Sequence, residues 1–204
     1  KSSKYRRRQK SIRNNNKKQL NLNYKGAACH ASTTEKGINA ITELIKIILL
    51  NKGRVIQNIE ILEKINKLVT EEENEGLYKI SEKFGKLTLN IGILSIDEKK
   101  FTSEIDIRYP EVISEQEIKE YLQNFFGNGY EIKILNSKPL HYVEENSIIV
   151  NKLLNTLTQL KIILEEKPMI IGGETYASYF YNMVGFGPKY QNIRTGGHGK
   201  NENI

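Results

Sequence analysis

Leu87-Thr88-Leu89-Asn90-Ile91-Gly92-Ile93 and, beyond the turn Asp97-Glu98-Lys99-Lys100, Phe101-Thr102-Ser103-Glu104-Ile105-Asp106-Ile107-Arg108-Tyr109 are the residues on which the fold turns. Apolar and polar side chains alternate through both, the pattern of strands with one face buried, and the charged turn makes them a hairpin. Pro110 ends the second strand because it has no N–H to donate. Outward from the hairpin the period changes. Ser114 to Phe126 reads as a helix, with Ser114 and Glu117 spaced as a capping box. On the other side, Ile59, Leu62 and Ile65 set a helix within Val55 to Val69. Ser32 and Glu35 are spaced as a capping box that opens another, running through Asn39 to about Leu50 with Ile38, Ile41, Leu44, Ile45 and Ile48 as its apolar stripe. Leu20 to Tyr24 and Tyr130 to Leu135 alternate like outer strands. The order strand, helices, strand, strand, helix, strand is a βαββαβ split, which packs as a four-stranded antiparallel sheet with helices on one face. The expectation is a ferredoxin-like α+β domain at residues 20–137.

The remaining segment, 138–204, reads differently. Lys138-Pro139-Leu140-His141 is a linker, and Ser147 to Leu160 is a helix with Ile149, Leu153, Leu154 and Leu157 inward. Met169-Ile170-Ile171 then runs into Gly172-Gly173-Glu174-Thr175-Tyr176-Ala177, which looks like a buried strand feeding a helix N-terminus, where backbone N–H groups point outward. Val184-Gly185-Phe186-Gly187-Pro188 reads as another strand, and His198 follows in a Gly-rich loop. These units are too few for a domain and look like the last part of a larger α/β domain. A histidine on such a loop is either a metal ligand or simply exposed, and the local residues leave both readings open.

Composition narrows the class. The 204-residue chain carries a net charge of +7, yet residues 1–19 alone hold nine Lys or Arg and no Asp or Glu. Without that arm 22 basic residues face 24 acidic ones, a net of −2, so the high pI belongs to the arm and not to the body. A basic tail on a near-neutral body is expected to be a solvated, disordered arm, and nucleic-acid binding is argued against; Tyr5 is the arm's only aromatic residue for base stacking. No apolar run has the length of a membrane-spanning helix, and no signal peptide is apparent. Cys29 is the single cysteine, so no internal disulfide forms and a reducing, cytoplasmic setting is expected. The chain begins with Lys1, and its methionines are Met169 and Met183, which suggests a fragment or a processed product.

Three motifs carry a resemblance. Gly26-Ala27-Ala28-Cys29-His30-Ala31-Ser32 leads on to Glu35-Lys36-Gly37-Ile38-Asn39-Ala40; Ile105-Asp106-Ile107-Arg108-Tyr109-Pro110 closes a strand; Gly172-Gly173-x-Thr175-Tyr176-Ala177 precedes Gly185-Phe186-Gly187-Pro188 and His198-x-x-Asn201-Glu202. Together they resemble the dinuclear zinc metallopeptidases that include PepV-type dipeptidases, carnosinase, aminoacylase and succinyl-diaminopimelate desuccinylase. The resemblance implies that residues 20–137 are an inserted lid domain and that 138–204 are the C-terminal part of an α/β zinc-peptidase catalytic domain. It implies that His30 steadies the negative oxygen of the tetrahedral intermediate. Arg108 would clamp the carboxylate of a dipeptide, the backbone of Gly172, Gly173 and Thr175 would face that end of the substrate, and His198 would ligate one of two zinc ions. Taken alone, without the resemblance, His30 reads more readily as an exposed turn histidine and Arg108 as a surface salt-bridge residue.

The sequence also departs from the pattern. Glu174 stands where the family usually has a third glycine, and Ser178 where it has Arg or Gly. No His-x-Asp occurs, and the other zinc ligands are absent, as is the Glu that acts as general base. The expectation is a zinc-dependent dipeptidase by resemblance, inactive as this chain alone, whose partners are a dipeptide and the missing N-terminal half of the catalytic domain. Two alternatives stay open: a non-catalytic remnant associating through its sheet edge, and a nucleic-acid binder acting through residues 1–19.

Overall fold

The computed structural model describes residues 13–14, 17–18, 21–52, 58–70, 74–97, 100–160 and 168–186. The chain divides into two compact units, residues 1–75 with 89–107, and residues 76–88 with 108–204. Within the basic arm, β1 (Arg13–Asn14) pairs antiparallel with β2 (Lys17–Lys18).

In the first unit a 3-10 helix, Ala31–Lys36, precedes α1 (Ala40–Leu50) and α2 (Ile59–Leu68). The anticipated capping box at Ser32 and Glu35 does not open α1. Gly37 donates to the Thr34 carbonyl, and Ala27 and Ile38 exchange both backbone hydrogen bonds at 3.0 and 2.9 Å. Ile38 is thereby committed to an extended pairing, and the helix starts only at its cap, Asn39. The Asn39 Oδ1 accepts from the N–H groups of Ile41 and Thr42 at 2.8 and 3.3 Å. Helix α2 ends under a buried side chain: the Asn74 amide donates to the carbonyls of Lys67 and Leu68 in the last turn and of Thr70 just beyond it. Ile45, Ile61, Leu62, Ile65, Leu68, Leu89 and Ile91 are the buried apolar residues of this unit.

The hairpin is present as read, with β5 (Thr88–Ile96) hydrogen-bonded to β6 (Phe101–Arg108). A turn this short can only return the chain antiparallel. Asp97 closes it, its N–H donating to the Lys100 carbonyl at 2.9 Å and its carboxylate accepting from the Lys100 N–H at 2.8 Å. Strand β6 stops at Arg108, two residues ahead of the buried Pro110.

The four-stranded sheet is not formed among the described residues. Leu22 to Tyr24 has no strand partner, and Ile134 and Leu135 of the other expected outer strand are 43% and 76% exposed in irregular chain. Alternation marks one face as apolar, but a strand also needs an edge to pair with, and these two segments find none. The α+β class stands, with its sheets reduced to two-stranded ladders.

In the second unit β3 (Ile80–Ser81) pairs antiparallel with β4 (Gly85–Lys86) around a turn held by the Ser81 hydroxyl. That oxygen accepts from the N–H groups of Lys83 and Phe84 and donates to Glu111 at 2.7 Å. Helix α3 (Glu115–Phe126) carries the capping box anticipated at Ser114 and Glu117 and buries Ile118, Leu122 and Phe126. Helix α4 (Ile148–Gln159) starts at Ser147, but the stripe is rotated by one residue. Val150 is the buried side chain, while Ile149 is 37% exposed and Leu153, Leu154 and Leu157 are half-buried. Met169, Ile170 and Ile171 form no strand and are 48%, 49% and 52% exposed. A fully buried strand needs paired neighbours and cover on both faces, and the described strands provide neither. No helix among the described residues is long and apolar enough to cross a membrane.

Two predictions follow from this packing. Leu68 is fully buried, so Leu68→Ala should cost about 2–5 kcal/mol in chemical denaturation, whereas Leu50→Ala, at an 85% exposed position, should stay within about 0.5 kcal/mol. The Ser114 hydroxyl, and then the Ser114 backbone N–H, hold the Glu117 carboxyl below its ordinary value of 4.5. A depressed folded-state value gives stability that is full above the unfolded-state value and is lost as pH falls through the folded one. Glu117→Gln should therefore flatten the acid limb of unfolding followed by circular dichroism, and an unchanged limb would remove this group from the acid response.

Candidate functional site

His30 sits on a closed loop. The Ala27–Ile38 pairing ties the loop at its base, and two glycines make that closure sterically possible. A Cβ on Gly26 would lie 2.3 Å from the Ile38 carbonyl oxygen, and one on Gly37 would lie 2.3 Å from the Cys29 sulfur. In each case the close neighbour belongs to the opposite side of the same loop.

The imidazole caps the 3-10 helix. Its Nδ1 accepts the Ser32 N–H at 3.2 Å and lies 2.7 Å from the Ser32 hydroxyl. A backbone N–H can only donate, so Nδ1 carries no proton, and the proton of the neutral ring is on Nε2. An exposed ring of this tautomer presents a donor, the polarity required to stabilise a developing oxyanion. Asn39 fixes the far end of the loop. Beyond capping α1, its amide nitrogen donates to the Asn90 side-chain oxygen at 2.7 Å and to the Ile91 carbonyl at 2.8 Å. The His30 loop, the start of α1 and strand β5 therefore share one side chain. Sequence reading placed Asn39 inside a helix opened at Ser32; an Asn directly before an apolar-periodic run is the signal for a cap, but its grip on β5 has no local signature.

The remaining candidates lie in the other unit. Arg108, the last residue of β6, is half-buried. Gly172, Gly173 and Thr175 are exposed, and they do not open a helix as expected; a one-turn 3-10 helix, Tyr176–Tyr179, follows them. Thr175 lies beside Gly185, where an added Cβ would come within 3.6 Å of its side chain, so the two glycine-bearing stretches meet. His141, at the end of the stretch read as linker, holds the Met183 carbonyl through Nε2 at 2.7 Å.

Glu174, which stands where the resembling family usually has a third glycine, has its negative charge balanced. Its carboxylate pairs with the Lys138 ammonium through both oxygens and accepts from the Ser178 hydroxyl at 3.3 Å. Lys138 also reaches the Tyr179 hydroxyl at 3.1 Å. The Lys138 hydrogen bond is the main cause that lowers the Glu174 carboxyl, and Glu174 is in turn the main cause that raises the Lys138 ammonium. Lys138 was read as linker, and nothing in its own neighbourhood of sequence points to a partner 36 residues on.

His198 lies outside the described residues. Among those described, no three His, Cys, Asp or Glu side chains converge as a metal site. The described residues by themselves therefore do not make a zinc centre, and what they offer is a histidine donor, an arginine and a glycine-rich loop.

Residues 12–133 match the peptidase dimerisation domain of the M20 type, and the chain belongs to that family. Similar proteins include one from Staphylococcus haemolyticus, 28% identical over 192 residues, and one from Staphylococcus aureus strain USA300, 29% identical over 191 residues, each named for an inferred dipeptidase activity. Both alignments cover 91% of this chain and 40% of the relative, so the chain spans two-fifths of the length of these relatives.

Gly26→Ala should break the closure of the His30 loop, since its Cβ meets backbone and not a movable side-chain end. The expected results are faster amide exchange at Ala27 and Ile38 and a loss of about 1–3 kcal/mol. Gly92→Ala in β5, whose Cβ would meet nothing nearer than 3.8 Å, should leave both amides unchanged. Equal behaviour of the two variants would mean that the loop is not closed at this point.

Proposed function

We propose that this chain is part of a zinc-dependent dipeptidase in which His30 stabilises the oxyanion, Arg108 binds the substrate carboxylate, the backbone of Gly172, Gly173 and Thr175 faces that same end, and His198 ligates zinc. The observation that carries the reading is the His30 loop. Within a peptidase dimerisation domain, an exposed imidazole is held by its Nδ1, which accepts from the Ser32 N–H and leaves the neutral ring with its proton on Nε2, the donor polarity that oxyanion stabilisation requires. Arg108 is a second support, since a planar guanidinium at a strand end suits two carboxylate oxygens. The inferred dipeptidase activity in the names of the staphylococcal relatives is a third.

The same reading assigns the remaining metal ligands and the general base to chain beyond this sequence, in the portion of the relatives that the alignments do not cover. The exposure of Met169, Ile170 and Ile171, with Tyr176, Phe180 and Phe186 nearby in sequence at 87%, 57% and 57%, supports it. Monomer surfaces rarely leave so many large apolar side chains open in one short segment, and the rest of a catalytic domain is the natural cover.

The test supplies that portion. The chain is assayed for dipeptide hydrolysis with zinc, alone and mixed with the part of the Staphylococcus haemolyticus relative that it does not match. The expected result is no turnover alone and turnover in the mixture. His30→Ala should lower kcat by about 10²–10³, and Arg108→Lys should chiefly raise KM. Turnover indifferent to His30 would end the proposed role, and a mixture that associates but hydrolyses nothing would count against the dipeptidase reading.

A further inference from the structure

Glu174 and Ser178 depart from the pattern of the similar enzymes at separate positions, yet they are bonded to each other and share a third partner. The Ser178 hydroxyl lies 3.3 Å from a Glu174 oxygen and 2.8 Å from the Thr175 carbonyl. The Lys138 ammonium holds both Glu174 oxygens and lies 3.1 Å from the Tyr179 hydroxyl and 5.2 Å from the centre of that ring. Three residues on, the His141 ring donates to the Met183 carbonyl. A carbonyl can only accept, so that bond survives in either charge state of the imidazole. Residues 138–141 thus grip 174–183 near both ends, once by charge and once by a hydrogen bond.

The chemistry of the two grips differs. The Met183 contact fixes backbone and carries no charge. The Lys138 contact cancels one: a bare carboxylate at Glu174 would repel an anionic ligand approaching the Gly172-Gly173 backbone, whereas a carboxylate engaged by an ammonium through both oxygens presents little net field. We infer that Lys138 is a positioning residue for the Gly172–Thr175 loop, neutralising Glu174 and holding the loop so that it can face a carboxylate. That Lys138 matters to substrate rests on the reading of this loop in the proposed function; that it holds the loop does not.

The measurement is amide exchange by NMR on the 204-residue chain, without metal or substrate, so it is independent of whether the chain belongs to a dipeptidase. The Ser178, Phe180 and Met183 amides are the reporters, because each donates within the segment, to Thr175, Ala177 and Phe180. Lys138→Met should speed exchange at Ser178 and Phe180 by about two- to fivefold, the range an exposed ion pair provides. Lys138→Arg should restore it, as should the exchanged pair Lys138→Glu with Glu174→Lys. High salt should bring parent and Lys138→Met together. Amides of α3 serve as the control for folding, and Glu174→Gln removes the charge with almost no change of shape should Lys138→Met fail that control. Unchanged exchange in Lys138→Met or Glu174→Gln overturns the inference. So does a loosening that neither Lys138→Arg nor the exchanged pair repairs, since the stem of Lys138 packed on Tyr179 would then be what matters.

Discussion

Asn39 is the side chain on which the first unit depends. A carboxamide has two acceptor positions and two donors, and all four are used: two N–H groups of α1 on one side, the Asn90 side chain and the Ile91 carbonyl on the other. Each bond is ordinary, but they are made by one rigid planar group, so the helix start and the strand cannot move independently. The Ala27–Ile38 pairing lies one residue away and closes the loop that bears His30. A histidine on an exposed loop would normally sample many positions; here the loop is tied at the base by a ladder rung and at the end by an amide.

The sequence is most legible where a signal is local. The β5–β6 hairpin could be read because alternation and a charged turn suffice, and α3 because Ser114 and Glu117 are a complete motif within four residues. The same motif at Ser32 and Glu35 misleads, because Ile38 is drawn into a pairing with Ala27, eleven positions earlier, which spacing cannot reveal. Leu20 to Tyr24, Tyr130 to Leu135 and Met169 to Ile171 share another failing. Their patterns specify what a strand would look like if it had a neighbour, and neighbours are a property of the whole fold.

The candidate site divides in the same way. His30, Arg108 and the glycine loop were legible as residue types in a resembling order, while the contacts that govern them were not. Glu174 shows the difference most clearly. Read along the chain it is a negative charge at a position where the resembling enzymes have glycine. In three dimensions it is one member of a small polar group with Lys138, Ser178 and Tyr179. Residue identity gives the sign of a charge; only geometry gives its balance.

The glycine-closed loop has a consequence for how such a chain can diverge. Gly26 and Gly37 are each pressed against atoms that cannot step aside, and between them the backbone is locked across Ala27 and Ile38. The loop is therefore a ring of fixed circumference. Its outward side chains can be exchanged, and with them its chemistry, but an inserted or deleted residue must either break the rung or displace the imidazole. Descent would be expected to rewrite this loop's letters long before it changed their number.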